Sequence, residues 1–186
     1  ETKSMTQPRQ NWQLFSKAMS DDLIDEFINL AGNTEKASTF NDGDEKVRSS
    51  RVSWLTHHGW VKDVLFNLAD HANQNAFHVN LYKKADIQFT EYHASEGGHY
   101  DWHHDVDWNN TDGLDRKLSV TVQLSDPSEY EGGDFTFSET ESPSAEMSKA
   151  KGTVLVFPSY LQHAVTPVTR GVRKSLVAWF VGPKWQ

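Results

Sequence analysis

The 186-residue sequence contains no cysteine. That excludes a disulfide scaffold, Cys-ligated zinc and a cysteine nucleophile. It also lacks any apolar run near ~18 residues, so no membrane-spanning helix is expected. The opening ETKSMTQPRQ has no hydrophobic segment of the secretory kind. With the missing cysteines, this leads us to expect an intracellular, cytoplasmic protein. Basic residues are in the minority, 18 against 26 acidic ones, for a net charge of −8. A broad phosphate-binding face, and with it a nucleic-acid partner, is disfavoured. Internal repeats are absent too, which excludes solenoids and propellers.

Bulky apolar residues are plentiful. Apolar residues make up 37% of the chain, including seven Trp and ten Phe, which is enough for one domain with a real core. Residues 1–11 are polar and expected to be disordered. Residues 12–76 read as a helical support region. Ser20-Asp21-Asp22 is a helix start, with a capping hydroxyl followed by acids suited to the positive end of the dipole. Leu23, Ile24, Phe27, Ile28 and Ala31 follow at helical spacing, and Gly32 is a stop. Asn33–Ser50 reads as a mobile surface loop with a turn at Asn41–Asp44. Arg51–Leu55 reads as a short strand. Trp60, Val61, Val64, Leu65, Leu68, Ala69 and Ala72 form the clearest amphipathic helix.

After Ala76 the apolar period changes from 3.6 to 2. Phe77, Val79 and Leu81 alternate with polar residues, and Leu118, Val120, Val122 and Leu124 alternate strictly with Ser119, Thr121 and Gln123. Val154–Phe157 and Ser175–Val181 are apolar runs of the kind buried on both faces. Turn clusters separate them, and Ser138–Lys149 reads as a long loop or hairpin. Residues 77–186 are therefore expected to form an antiparallel sandwich or barrel, with the helices packed on one side of it.

The chemistry concentrates in YHASEGGHYDWHHDVD, Tyr92–Asp107. On an extended strand His103 and Asp105 share a face, and His104 looks away. An imidazole beside a carboxylate supplies two of the three ligands of a 2-His-1-carboxylate iron site, which leaves positions open for other ligands. A distant histidine must complete it, and His163, just beyond TVLVFP, is the best placed. Pro167 and Gly171 are expected to bracket a turn between two strands, with Arg173 at the start of the second. Arg173 shares strand parity with Ser175, Val177 and Trp179. A guanidinium projecting inward needs an anion, and a carboxylate suits it best. The bland alternative is a surface arginine beside Arg170 and Lys174. His57-His58 precedes a helix, and adjacent residues diverge on any regular element, so the pair is not a ligand candidate. His71, His78, His93 and His99 read as surface or supporting residues.

His103-x-Asp105, His163 and a basic residue ten positions later resemble the iron(II)- and 2-oxoglutarate-dependent dioxygenases. The prolyl 4-hydroxylase group, and its bacterial PKHD-type hydroxylases, are the nearest in pattern. The same likeness extends to Tyr92 and Tyr100 before His103, to LSVTVQLSDPSEYEGGD (Leu118–Asp134), to Phe157-Pro158-Ser159 and to HAVTPVTRG (His163–Gly171). It covers about Ile87 to Gly182. It implies an α+β chain, mainly β with N-terminal helices on one side of a double-stranded β-helix, or jelly-roll, catalytic core. It implies iron bound by His103, Asp105 and His163, and 2-oxoglutarate held by Arg173, Tyr92 and the position of Gln123, where some relatives carry a tyrosine. Tyr100 and Trp179 match aromatics near the substrate, and Trp102 and Trp108 flank the metal strand as rim residues. The implied cofactors are Fe(II), 2-oxoglutarate and O2, with L-ascorbate as a reductant. The implied partner is a proline-containing protein or peptide, hydroxylated with release of succinate and CO2. Three other readings compete. A same-fold oxygenase could act on a small molecule or another side chain. A nucleic-acid demethylase is disfavoured, because its second arginine would fall at Trp179. In a cupin-like module the three ligands would bind zinc, but such a site has no need of Arg173.

Overall fold

The computed structural model describes residues 8–37 and 47–186. Residues 1–7 of the expected disordered start, and the turn expected at Asn41–Asp44, lie outside them. In chain order the elements begin β1 (Gln13–Phe15), α1 (Asp21–Ala31), β2 (Glu35–Lys36), β3 (Arg48–Ser49), β4 (Arg51–Trp54) and α2 (Gly59–Ala72). They continue β5 (Ala85–His93), β6 (His99–His103), β7 (Leu114–Gln123), β8 (Tyr130–Gly132) and β9 (Phe135–Phe137). The last are α3 (Ala145–Ser148), β10 (Val154–Pro158), β11 (His163–Val165) and β12 (Val168–Pro183). Among the described residues all strand pairs are antiparallel and form two sheets. The larger runs β1-β10-β7-β12-β5-β4-β2, with β8 added on β12; the smaller runs β3-β6-β11-β9. Among the described residues no helix is long and apolar enough to cross a membrane.

The alternation in β7 explains the layering. Leu118, Val120 and Val122 point to one face of the large sheet, where they join Ile87 and Phe89 of β5 and Leu176, Ala178 and Phe180 of β12. α1 and α2 cover that face with Ile24, Phe27, Val61, Leu65 and Ala69, all fully buried. Each of these side chains except Ala69 contributes about 1.5–3 kcal/mol by leaving water. Ser20 caps α1 as read from the sequence, its hydroxyl accepting from the Leu23 N–H at 3.2 Å. On the opposite face of the sheet lie Thr121, Gln88, Thr90, Arg173, Ser175 and Trp179, which look toward the smaller sheet. The register aligns them: Ser175 sits between Thr90 and Gln123, and Val177 between Gln88 and Thr121. The period-2 pattern therefore separates a core face from a site face. Val154–Phe157 is apolar throughout because both its faces pack: Val154 and Val156 meet the helices, while Leu155 and Phe157 form a second cluster with Phe137 and Leu161.

The structure corrects several expectations. Phe77, Val79 and Leu81 do not form a strand. α2 runs on into a wide π-type turn, Asn73–Phe77, and His78 takes a left-handed conformation (φ 55°). The Asn73 amide serves both backbone groups of Val79, accepting from its N–H at 2.8 Å and donating to its carbonyl at 2.9 Å. That side chain replaces a neighbouring strand, and the three apolar residues still pack on the core. The segment 12–76 is not only helical: β1 pairs with β10 and β4 with β5, so both add to the large sheet. The ends of the Asn33–Ser50 segment are likewise strands, β2 and β3, and Ser138–Lys149 carries the short α3. Gly171 is not in a turn. It lies within β12 opposite Tyr130, at φ 72°, where a Cβ would meet the Glu129 carbonyl at 2.0 Å. The chain runs straight on through Thr166-Pro167, antiparallel to residues 130–137 on both sides of that point, and Arg173 sits well inside β12.

Candidate active site

His103 closes β6 and His163 opens β11, and the two are register partners across the small sheet. Asp105 lies two residues beyond His103, and its N–H donates to the Ser159 carbonyl at 2.9 Å. Its Oδ1 is 3.5 Å from Nε2 of each histidine. The three ligand atoms lie within 4.8 Å of one another. The ladder thus supplies two donors and the following bend the third.

The tautomers follow from the neighbours. Nδ1 of His103 faces the Asp101 carbonyl at 2.7 Å, and Nδ1 of His163 faces the Leu161 carbonyl at 2.8 Å. A carbonyl only accepts, so each Nδ1 carries the hydrogen and each Nε2 presents a lone pair to the shared space. Ser119 donates to Asp105 Oδ2 at 2.6 Å and lies 2.9 Å from the Ser159 hydroxyl. Oδ1 is left facing the histidines. Burial alone would raise the Asp105 carboxyl, but His163, His103 and the Ser119 hydroxyl outweigh it and hold it well below the ordinary carboxylate range. Burial lowers His163 against the pull of Asp105, so its ring stays neutral below the usual imidazole range. Two imidazole nitrogens and one carboxylate oxygen, each fixed by a supporting hydrogen bond, suit a divalent transition metal.

Aromatic rings pack around this cluster. Tyr100 stacks on His103 at 3.5 Å between centroids, and Phe157 and Phe135 lie 4.9 and 5.3 Å from His163. A cavity runs from the cluster between the two sheets and is lined by residues of both. Arg173 lines it and is only 7% exposed. Its guanidinium lies 5.6 Å over the Tyr92 ring. Among the described residues no carboxylate pairs with it, an arrangement that costs several kcal/mol unless an anion joins it.

The site residues expected from the sequence are placed as follows. His103, Asp105, His163, Tyr92, Tyr100, Arg173 and Trp179 all line the one cavity. The Trp179 Nε1 is buried without a hydrogen-bond partner among the described residues. Gln123 lies in a smaller adjoining space behind Arg173, where its amide donates to the Tyr130 hydroxyl at 2.9 Å and the Ser125 carbonyl at 3.1 Å. Trp102 and Trp108 are 46% and 54% exposed and do not line the cavity. Trp108 instead lies near His104, at 6.1 Å. Sequence reasoning missed Ser119 and Ser159, which support Asp105, and Arg48, which enters the cavity from β3. Strand parity could have placed Ser119 on the site face. Nothing in the sequence could have placed Arg48.

The sequence profile of the 2OG-Fe(II) oxygenase superfamily matches residues 87–181, and the chain belongs to that superfamily. A PKHD-type hydroxylase of Prochlorococcus marinus is 37% identical over 86 residues, which are 46% of this chain and 38% of that protein. The chain thus matches less than half the length of that curated relative. The fold is similar to that of a Pseudomonas putida prolyl-4-hydroxylase, with a TM-score of 0.71 and 20% identity over 91% of this chain and 92% of the other. It is also similar to a prolyl hydroxylase from Trichoplax adhaerens solved with a hypoxia-inducible-factor peptide fragment (TM-score 0.70, 15% identity, 91% and 83% covered).

Proposed function

We propose that this chain is an iron(II)- and 2-oxoglutarate-dependent hydroxylase of the prolyl 4-hydroxylase type, acting on a proline-containing protein or peptide. The two facing sheets are read as a double-stranded β-helix. The observation that carries the reading is Arg173: a buried guanidinium with no carboxylate partner among the described residues, in the cavity that holds the His-Asp-His cluster. Its natural complement is a ligand carboxylate, held bidentately. The names of the Prochlorococcus, Pseudomonas and Trichoplax proteins support the hydroxylase reading, and the peptide bound to the last supports a peptide substrate.

Nε2 of His103 and His163 and Oδ1 of Asp105 would hold the iron. When bound, ferrous iron with 2-oxoglutarate and oxygen supplies the oxidising power to hydroxylate a C–H bond, leaving succinate and CO2. The chain's own part is geometric. Asp101 and Leu161 carbonyls fix the imidazoles, and Ser119 aims the carboxylate. Arg173 takes the far carboxylate of the co-substrate, with Tyr92 and Gln123 beside it. Tyr100 and Trp179 would form the substrate wall, with the Trp179 N–H, which has no partner among the described residues, placed to donate; Trp102 and Trp108, outside the cavity lining, would form the outer rim. L-Ascorbate would act as an external reductant, with no residue assigned to it.

Purified protein given Fe(II), 2-oxoglutarate and oxygen should form succinate. His103→Ala or Asp105→Ala should abolish this. A proline peptide array read for a mass gain of one oxygen tests the substrate class. Succinate formation that persists in both variants would sink the assignment.

A further inference from the structure

Arg48 lies outside the matched residues 87–181, on the short strand β3 of the small sheet. It is the second arginine lining the cavity. Its Nε donates to the Ser50 hydroxyl at 2.7 Å and its Nη2 to the Gln88 side-chain carbonyl at 2.9 Å. Gln88 is buried, and its oxygen also accepts from Thr90 at 3.1 Å. The Arg48 guanidinium sits 4.6 Å over the Tyr100 ring, the ring that stacks on His103. All these partners are neutral. The other arginines of this region are engaged: Arg51 pairs with Glu96, Arg170 with Glu131, and Arg116 lies on Trp179 and reaches the Asp105 carbonyl. Among the described residues no carboxylate pairs with Arg48, although it is held in one orientation by three neighbours.

The cavity thus carries two guanidiniums, and both act electrostatically on Tyr92. Asp105, the only carboxylate among the described residues that line it, is committed to the two histidines. Under the reading above, 2-oxoglutarate brings two carboxylates: one goes to the metal and the other to Arg173. Arg48 is then left over. Fixed, partly desolvated guanidiniums are strong carboxylate receptors. We infer that Arg48 is a specificity-determining residue: the molecule hydroxylated here carries a carboxylate close to the oxidised carbon, and Arg48 grips it. The inference rests on the proposed function. The carboxylate belongs to an acidic side chain flanking the target residue in a peptide, or to the acid end of a small amino-acid derivative. In a chain of net charge −8, a local cation is also what lets an acidic substrate approach.

The test is calorimetric binding to the full chain loaded with Mn(II) and 2-oxoglutarate. Two matched pairs of probes serve: N-acetyl-Glu-Pro-Glu-amide against its Gln-Pro-Gln counterpart, and N-acetyl-L-proline against its amide. The acidic member of one pair should bind about tenfold tighter or more, as expected for one charge-assisted contact. The pair that shows the preference identifies the source of the carboxylate. Arg48→Gln should remove the preference and leave the neutral member's affinity unchanged, and Arg48→Lys should restore part of it. Equal affinities in both pairs, no binding by any probe, a preference that survives Arg48→Gln, or a loss shared by both members overturns the inference. Wild-type succinate formation separates the two failures. If succinate forms without an acidic preference, only the role of Arg48 falls. If no succinate forms, the functional reading falls.

Discussion

Replacing Arg173 with methionine separates a binding role from a structural one. Methionine keeps most of the buried stem volume and removes the charge. Two charge-assisted hydrogen bonds to a carboxylate, at about 1.5 kcal/mol each, amount to about 3 kcal/mol, or roughly a 100-fold higher requirement for 2-oxoglutarate. Stability should behave differently. The guanidinium is 7% exposed, packs over Tyr92 and has no carboxylate partner among the described residues. Its removal relieves desolvation and loses one cation–π contact of about 0.5–1 kcal/mol. Without ligand, Arg173→Met should therefore be at least as stable as the wild type. The assays are succinate formation against 2-oxoglutarate concentration, and urea unfolding of the ligand-free protein. An unchanged 2-oxoglutarate requirement, or a ligand-free variant several kcal/mol less stable, would show that Arg173 is a packing residue and refute the reasoning.

Other outcomes follow from the same geometry. Ser119→Ala removes the 2.6 Å donor to Asp105 and should weaken Mn(II) affinity about tenfold, measured by titration. Leu65→Ala empties a fully buried position under the large sheet and should cost about 3 kcal/mol in urea unfolding. Gly171→Ala forces a side chain into φ 72° against the Glu129 carbonyl; it should cost about 2 kcal/mol or more and weaken 2-oxoglutarate binding, because Gly171 lies two residues before Arg173 on the same strand. The metal-free protein should lose stability in acid. His163 is depressed from its ordinary 6.5, so the unfolded chain takes the proton first and stability falls as pH drops below about 6.5. Asp105, depressed from 3.8, keeps its contribution above that value and loses it as pH falls further. Thermal unfolding of His163→Gln across this range should show a flatter slope near pH 6.5.

Much of this was legible from residue order. Strict alternation in Leu118–Leu124 states which residues face the helices and which face the site, because side-chain direction in a strand has a period of two. The spacing of α1 and α2, the Ser20 cap and the pair His103-x-Asp105 are local patterns of the same kind. Two of the local readings failed, each for a physical reason. Phe77, Val79 and Leu81 carry a strand's pattern, but the Asn73 amide took the backbone bonds that a neighbouring strand would have made. Gly171 carries a turn's residue type, but its left-handed backbone lies inside β12, where the strand passes from β8 to β5 as its partner.

The sequence by itself determined the chemistry available: two histidines and an aspartate of the right kind, an inward arginine and a β-rich chain with an amphipathic helical cover. Only the tertiary structure decided what meets what. His163 lies 60 residues from His103, and strand pairing made them neighbours. Ser119 and Ser159 became the support of Asp105 by register, and Arg48 reached the cavity because β3 paired with β6. Local pattern sets the direction of a side chain, whereas contacts across the sheets depend on register and bulges that no short stretch encodes.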